Sequence, residues 1–176
     1  KIFIYDAESD NGFWQFDPIT EQWNQLTAYP GARRDYPTHF SINDDIYIGM
    51  GADFEPYTSI KYGDFYKYSP STNSWTQIAD FTYQNYSLRT ETSTFTINDI
   101  AYVGNGATNT GTPTGGSNRN DCWRYDPTLD NWTQVDDIGP IVRAGHFSFS
   151  INGKGYIGGG IWSISAERYD MFEFIP

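Results

Sequence analysis

Five markers recur in one register along this chain, and that repetition constrains the fold more than any other feature. Trp23, Trp75 and Trp132 each stand five residues after a proline, namely Pro18, Pro70 and Pro127. A glutamine follows each tryptophan by two residues: Gln25, Gln77 and Gln134. Ahead of the prolines lie Phe13-Trp14-Gln15-Phe16-Asp17, Phe65-Tyr66-Lys67-Tyr68-Ser69 and Cys122-Trp123-Arg124-Tyr125-Asp126, and a fourth copy runs from Met171 to Pro176. A second block keeps step: Phe40-Ser41-Ile42-Asn43, Phe95-Thr96-Ile97-Asn98 and Phe149-Ser150-Ile151-Asn152, each led six residues earlier by Arg34, Arg89 or Arg143. Glycines close it at Gly49 and Gly51, Gly104 and Gly106, Gly158 and Gly159. A period of 49 to 57 residues means stacked copies of one supersecondary unit, none of which can bury its apolar faces alone.

Each unit divides into four runs of strand length. The first alternates apolar and small polar residues, as in His146 to Asn152, which suits a half-buried strand. Asn43-Asp44, Asn98-Asp99 and Asn152-Gly153 are hairpin turns into the second. The second ends in glycine, where the backbone must bend or be closely approached. The third stops at proline, which cannot donate to a ladder, and the tryptophan strand lies outermost. The 18% aromatic content, with 17 Gly and 9 Pro, fits pleated strands and tight turns and is poor material for helices.

An arginine-led strand, a hydrophobic strand ending in Gly-Gly, an aromatic-x-aromatic-Asp-Pro strand and a tryptophan strand together resemble the kelch repeat over essentially the whole chain. Met50 and Asn105 interrupt the first two glycine pairs, and Ser69 replaces the expected aspartate. The resemblance implies an all-β, kelch-type β-propeller, because stacking four-stranded sheets around an axis buries both faces of each. The wording, Tyr-Ile-Gly-Gly-Gly above all, resembles kelch arrays of bacterial secreted and cell-envelope proteins. Lys1 to Tyr5 reads as a second strand and Met171 to Pro176 as a third, so the strands group as three, four, four, three. The approximate blades are 1–27 (partial), 34–80, 89–137 and 143–176 (partial), within one propeller region over 1–176. Kelch propellers of six or seven blades need roughly 320 to 380 residues at this period. The expectation is therefore about three and a half blades, covalently continuous with others.

Charge narrows the partners. The net charge is −11 with a pI near 4.3, and such a surface repels phosphate backbones, which argues against nucleic acid. No apolar run approaches the ~20 residues of a membrane-spanning helix, so membrane insertion is not expected. A lone cysteine, Cys122, excludes an internal disulfide framework.

Candidate chemistry is sparse. Cys122 occupies the slot of Phe13, Phe65 and Met171, a buried apolar position, rather than that of the copper-associated cysteine found in kelch-type oxidases. His39 and His146 sit two blades apart on non-equivalent rungs, with too few companions for a copper or zinc site. Asp6 to Gly12 resembles the start of a calcium loop, but its glycine falls one place late and it reads as a solvated hairpin loop. Arg34, Arg89 and Arg143 fall at one rim, where arginine suits carboxylate recognition, although a residue recurring in a repeat usually serves the repeat. The loops between second and third strands add Asp53, Glu55 and Tyr57, and loops on a rigid scaffold often carry function. Asn85-Tyr86-Ser87 and Asn131-Trp132-Thr133 match glycosylation acceptors.

With no recurrent acid–base or nucleophile constellation, no cofactor and no metal are expected. The leading expectation is a non-catalytic module recognising protein or glycan through rim loops of an exported bacterial protein, located outside the cell, in the periplasm or at the cell surface. The alternatives are a kelch-type sugar epimerase, mutarotase or oxidase, and a purely architectural spacer in a surface adhesin.

Overall fold

The computed structural model describes residues 1–54, 60–82, 88–108, 118–163 and 166–176, with backbone alone at 162, 163 and 166. Every regular element among them is a strand, and fourteen of the eighteen strands form four antiparallel sheets that follow one another along the chain. The first holds β1 (Ile2–Asp6), β2 (Gly12–Asp17) and β3 (Gln22–Leu26). The second runs β4 (Thr38–Ile42), β5 (Asp45–Gly49), β8 (Phe65–Ser69), β9 (Ser74–Ile78). The third is β10 (Ser93–Ile97), β11 (Ile100–Gly104), β12 (Cys122–Asp126), β13 (Asn131–Val135). The last holds β14 (Phe147–Ile151), β15 (Lys154–Gly158) and β18 (Met171–Phe174). This is the three, four, four, three pattern expected, and the fold is a kelch-type propeller array. Two short ribbons were not foreseen: β6 (Ala52–Asp53) pairs β7 (Ile60–Lys61), and β16 (Ile161–Ser163) pairs β17 (Ala166–Glu167).

The local chemistry explains the turns. Asn98 and Asn152 take φ of 50° and 52°, followed by Asp99 at 60° and Gly153 at 74°, the left-handed pair that a two-residue hairpin needs. Strands β2, β8 and β12 each end on the residue before a proline. After β12, the Asp126 carboxylate accepts from the Thr128 amide at 2.9 Å and closes the turn.

The interrupted glycine pairs have a backbone reason. Met50 and Asn105 adopt φ of 47° and 53°, and Gly159 at the same repeat position adopts 67°. This left-handed well admits other residues at modest cost. One place later Gly51, Gly106 and Gly160 sit at φ of 86°, 90° and 85°, and a Cβ on Gly106 would stand 2.4 Å from the Thr90 carbonyl oxygen. Glycine is required there and not at the preceding position.

The core lies between sheets rather than within them. Phe3 and Phe13 of the first sheet meet Tyr68 and Trp75 of the second. Phe40, Tyr47 and Phe65 of the second meet Tyr125 and Trp132 of the third. Phe95 and Tyr102 of the third meet Phe174 of the fourth. Polar stitches cross the same joints. The Trp75 and Trp132 indoles each donate at 2.9 Å to Thr27 O and Ala79 O of the preceding repeat. The Gly51 and Gly106 amides donate to Arg89 O and Arg143 O of the following one.

Candidate active site at the channel mouth

Strands β4, β10 and β14 lie side by side as the innermost strands, and short polar side chains stitch them together. Thr38 Oγ1 and Thr92 Oγ1 are 2.8 Å apart, Thr96 Oγ1 donates to Ser41 O at 2.6 Å, and Ser148 Oγ donates to Thr94 O at 3.0 Å. At the head of each inner strand the chain turns through a left-handed residue: Tyr36 (φ 50°), Glu91 (φ 54°) and Gly145 (φ 60°). Antiparallel bridges from Asp35 to Ala52, Thr90 to Ala107 and Ala144 to Ile161 fix the residue just before each.

A cleft of about 430 Å³ opens at this mouth. Its walls include Tyr36, His39, Glu91, Thr92 and Thr94, with Phe3, Tyr5 and Phe13 on the apolar side. Aromatic faces beside a few convergent polar groups are the usual make-up of a small-molecule site. Glu91 is half-buried and has no ion-pair or hydrogen-bond partner among the described residues. Its carboxylate oxygen lies 3.3 Å from where a Cβ on Gly145 would stand, so it reaches toward the next sheet. His39 is exposed, and its contact with Pro37 O is 3.5 Å, too long to restrain the ring strongly. A second cavity of about 340 Å³ continues past His39 along Ser41, Thr94, Thr96 and Ser150.

The three recurring arginines are not part of this cleft. Arg34, Arg89 and Arg143 are 0%, 1% and 1% exposed. Arg34 forks onto Asp64 at 2.8 and 2.9 Å and donates to Met50 O at 3.1 Å and Ala32 O at 2.9 Å. Arg89 forks onto Asp121 at 2.7 and 2.9 Å and donates to Asn105 O at 3.1 Å. Each therefore clamps the end of a second strand to the start of a third. Burial disfavours ionisation of Asp121, but the Arg89 fork and the Trp123 indole outweigh it and hold that carboxyl below the usual aspartate range. Arg143 is less well served. It donates to Gly159 O at 2.9 Å and approaches Asp170 at 2.9 Å without hydrogen-bond alignment, while Nε and Nη2 find no hydrogen-bond partner among the described residues. Arg34 and Arg89 thus commit their donors inward, the role expected of a residue that serves the repeat, and all three arginines are buried rather than presented at the rim. The signal for their partners was in the sequence: Asp64, Asp121 and Asp170 each stand one residue before a third strand.

The other candidates have ordinary surroundings. Asp53 pairs with Arg33 at 3.0 Å, and Arg33 also meets Glu8 and Asp35, so this rim cation is already balanced. Glu55 and Tyr57 lie outside the described residues, as does the Asn85 tripeptide. In the Asp6–Gly12 loop Asp6 accepts the Glu8 amide at 3.1 Å and Asn11 is held by Tyr5 and Gly31. Among the described residues no three His, Cys, Asp or Glu side chains gather as a metal site would need. Cys122 is fully buried, and burial pushes its thiol up to about 12, which leaves it protonated and inert. His146 bonds Ser93 Oγ through Nε2 at 2.6 Å. Burial, and then Arg143, push it down to about 4, so it is neutral near pH 7.

Comparison with known proteins bears on what such a mouth does. No protein-family model matches the chain. It is 32% identical over 123 residues to N-acetylneuraminate epimerase of Shigella sonnei (strain Ss046), a match covering 68% of this chain and 30% of that protein. N-acetylneuraminate epimerase of Escherichia coli (strain K12) gives the same identity and coverage. The match thus spans about a third of the length of these curated relatives. The solved structure of YjhT superposes with a TM-score of 0.73 over 94% of this chain and 59% of that one, at 17% identity. The expectations of a non-catalytic module and of a chain that is not an enzyme are overturned here, since the named relatives are carbohydrate epimerases. The residues lining the cleft do not recur from blade to blade, so the repeat pattern gives no signal for them. The architecture, shared with YjhT, is that of a kelch-type β-propeller.

Proposed function

We propose that this chain contributes to a kelch-type sugar epimerase, with the channel-mouth cleft as its substrate site and an N-acetylneuraminate-like acidic amino sugar as its substrate class. The observation that carries the reading is Glu91, a half-buried carboxylate free of described partners, held on a left-handed backbone in an aromatic-walled cleft, in a chain similar to N-acetylneuraminate epimerase. Epimerisation involves no net oxidation. It needs one group to take a proton and another to return it. Glu91 and His39 are the carboxylate and the imidazole lining the cleft and fill those roles, while Tyr36, 59% exposed, offers a ring face to the sugar.

The relatives are matched over 30% of their length, which supports the proposal that further kelch blades complete the ring. A net charge of −11 and the ion-paired Arg33 support a cation for an anionic substrate coming from those blades. Export to a bacterial envelope belongs to the same proposal, and cell fractionation tests it. The function is tested by NMR of N-acetylneuraminate with the protein, reading both saturation transfer and interconversion of its epimers. Glu91→Gln is expected to slow interconversion by about 10² or more while saturation transfer persists. Full activity in both Glu91→Gln and His39→Ala variants would reject the assignment.

A further inference from the structure

The joint between the second and third sheets opens into a cavity of about 360 Å³ beside the β4–β5 and β12–β13 turns, at the end of β4 away from the channel mouth. Carboxylates reach it from both sheets: Asp45 at the start of β5 and Asp130 just before β13. Lys67 of β8 lies 3.5 Å from Asp45, so the lining holds two negative charges against one positive. Tyr47 of β5 lines the same cavity and is 3% exposed, yet its hydroxyl has no hydrogen-bond partner among the described residues. That hydroxyl is not sealed from solvent, so it faces the cavity. Burial pushes it up to about 12, with Asp45 and Asp130 adding to the rise, and it stays protonated as both donor and acceptor. Tyr125 stands beside it, ring centroids 5.7 Å apart, and donates its own hydroxyl to Asp130 at 2.8 Å.

The repeat does not require these groups. Tyr47 stands opposite Lys67 as Phe3 stands opposite Gln15, and Asp45 opposite Ile42 as Ile100 opposite Ile97. Asn73 holds the position of Asp130. Asn73 Oδ1 accepts from the Tyr68 hydroxyl at 2.8 Å and the Thr27 amide at 3.0 Å, and Asp130 Oδ1 accepts from Tyr125 and, at 2.9 Å, the Ala79 amide. One neutral oxygen meets that structural need. The charge of Asp130 is surplus to it, and its Oδ2 accepts no hydrogen bond among the described residues.

We propose that this cavity binds an organic monocation, a guanidinium, amidinium or primary ammonium group, held by the Asp45 and Asp130 carboxylates and the Tyr47 hydroxyl. The one surplus negative charge matches a single positive one. Planar nitrogen donors suit carboxylate oxygens, and tyrosine faces attract cations. Two carboxylates on separate sheets fall short of the oxygen shell of calcium or magnesium, and among the described residues no third metal-ligating side chain joins them. The inference does not rest on the epimerase reading, whose cleft lies at the other end of the inner strands.

The probe is benzamidine, a flat aromatic monocation at pH 7, with neutral benzamide as its control. Amide chemical shifts of the nitrogen-labelled chain are followed in a titration. Saturable shifts around Tyr47 and Asp130 are expected, with a Kd of roughly millimolar order and no saturation by benzamide. Asp130→Asn should weaken binding at least about tenfold and Tyr47→Phe about threefold, whereas Lys67→Gln, which removes the competing cation, should tighten it about threefold. Each substitution installs the residue already present at the equivalent position (Asn73, Phe3 or Gln15), so the fold is kept. Benzamide binding as tightly as benzamidine overturns the proposal, as does unchanged affinity in Asp130→Asn, weaker binding in Lys67→Gln, or no saturable shift below about 20 mM.

Discussion

Replacing Arg34 by methionine removes a guanidinium that is wholly buried and makes four directed contacts, two to Asp64 and two to backbone carbonyls. What remains is the Asp64 carboxylate, its side chain 23% exposed, together with the Met50 and Ala32 carbonyls. Breaking a buried pair from one side costs about 3–5 kcal/mol, because the surviving charge is uncompensated. The partial exposure of Asp64 places the expected loss near the lower end, about 3 kcal/mol. For a chain of this size that is a fall in Tm of roughly 6–12 °C. Arg143, with Nε and Nη2 lacking described hydrogen-bond partners and Asp170 misaligned, has less to lose, about 1–2 kcal/mol for the same substitution. Arg33→Ala, at a side chain 35% exposed, should change stability least of the three, because solvent screens exposed pairs. Urea unfolding followed by tryptophan fluorescence, with m unchanged among variants, reads the series directly. Equal losses at Arg34, Arg143 and Arg33 would refute the claim that inward commitment of the fork, rather than charge alone, sets its worth.

Other outcomes follow from single positions. Gly106→Ala, forced to φ near 90° with its Cβ 2.4 Å from Thr90 O, should destabilise the protein by about 2 kcal/mol or more in the same urea assay. His146 is held near 4 in the folded protein against about 6.5 unfolded, so the unfolded chain binds the proton more readily. Stability is therefore full above pH 6.5 and declines by up to about 3 kcal/mol as pH falls toward 4, and His146→Gln should flatten that part of the profile. Cys122, fully buried with its thiol pushed up to about 12, should resist a thiol reagent at pH 8 in the native state and react on unfolding. Fast native labelling would show that the third joint opens.

Legibility in the sequence followed the symmetry of the repeat. Strand grouping, hairpin turns and the apolar slot of Cys122 depend on residues that recur, so laying the chain against itself exposes them. The aspartate partners of the arginines recur as well, but their separation from Arg34, Arg89 and Arg143 varies with loop length, which hides the register. The two short ribbons lie in those same variable loops and follow no alternation. The candidate site was missed for a different reason. Tyr36, Glu91 and Gly145 hold one backbone position in three repeats with three unrelated side chains, so a search for what repeats discards what differs. A cleft on the axis of a pseudo-symmetric array can use different groups from different blades, and the residues that line this one are departures from the repeat.

The amide bonds that run from Gly51 to Arg89 and from Gly106 to Arg143 give the array a direction. Each sheet grips the loop that opens the next, at the residue whose side chain clamps that next sheet shut. Loss of order in one sheet therefore reaches its predecessor through this amide proton as well as through the indole and hydroxyl bonds across the joint. The Gly106 proton, which cannot exchange until the loop at Arg143 lets go, becomes a clock for detachment of the last sheet.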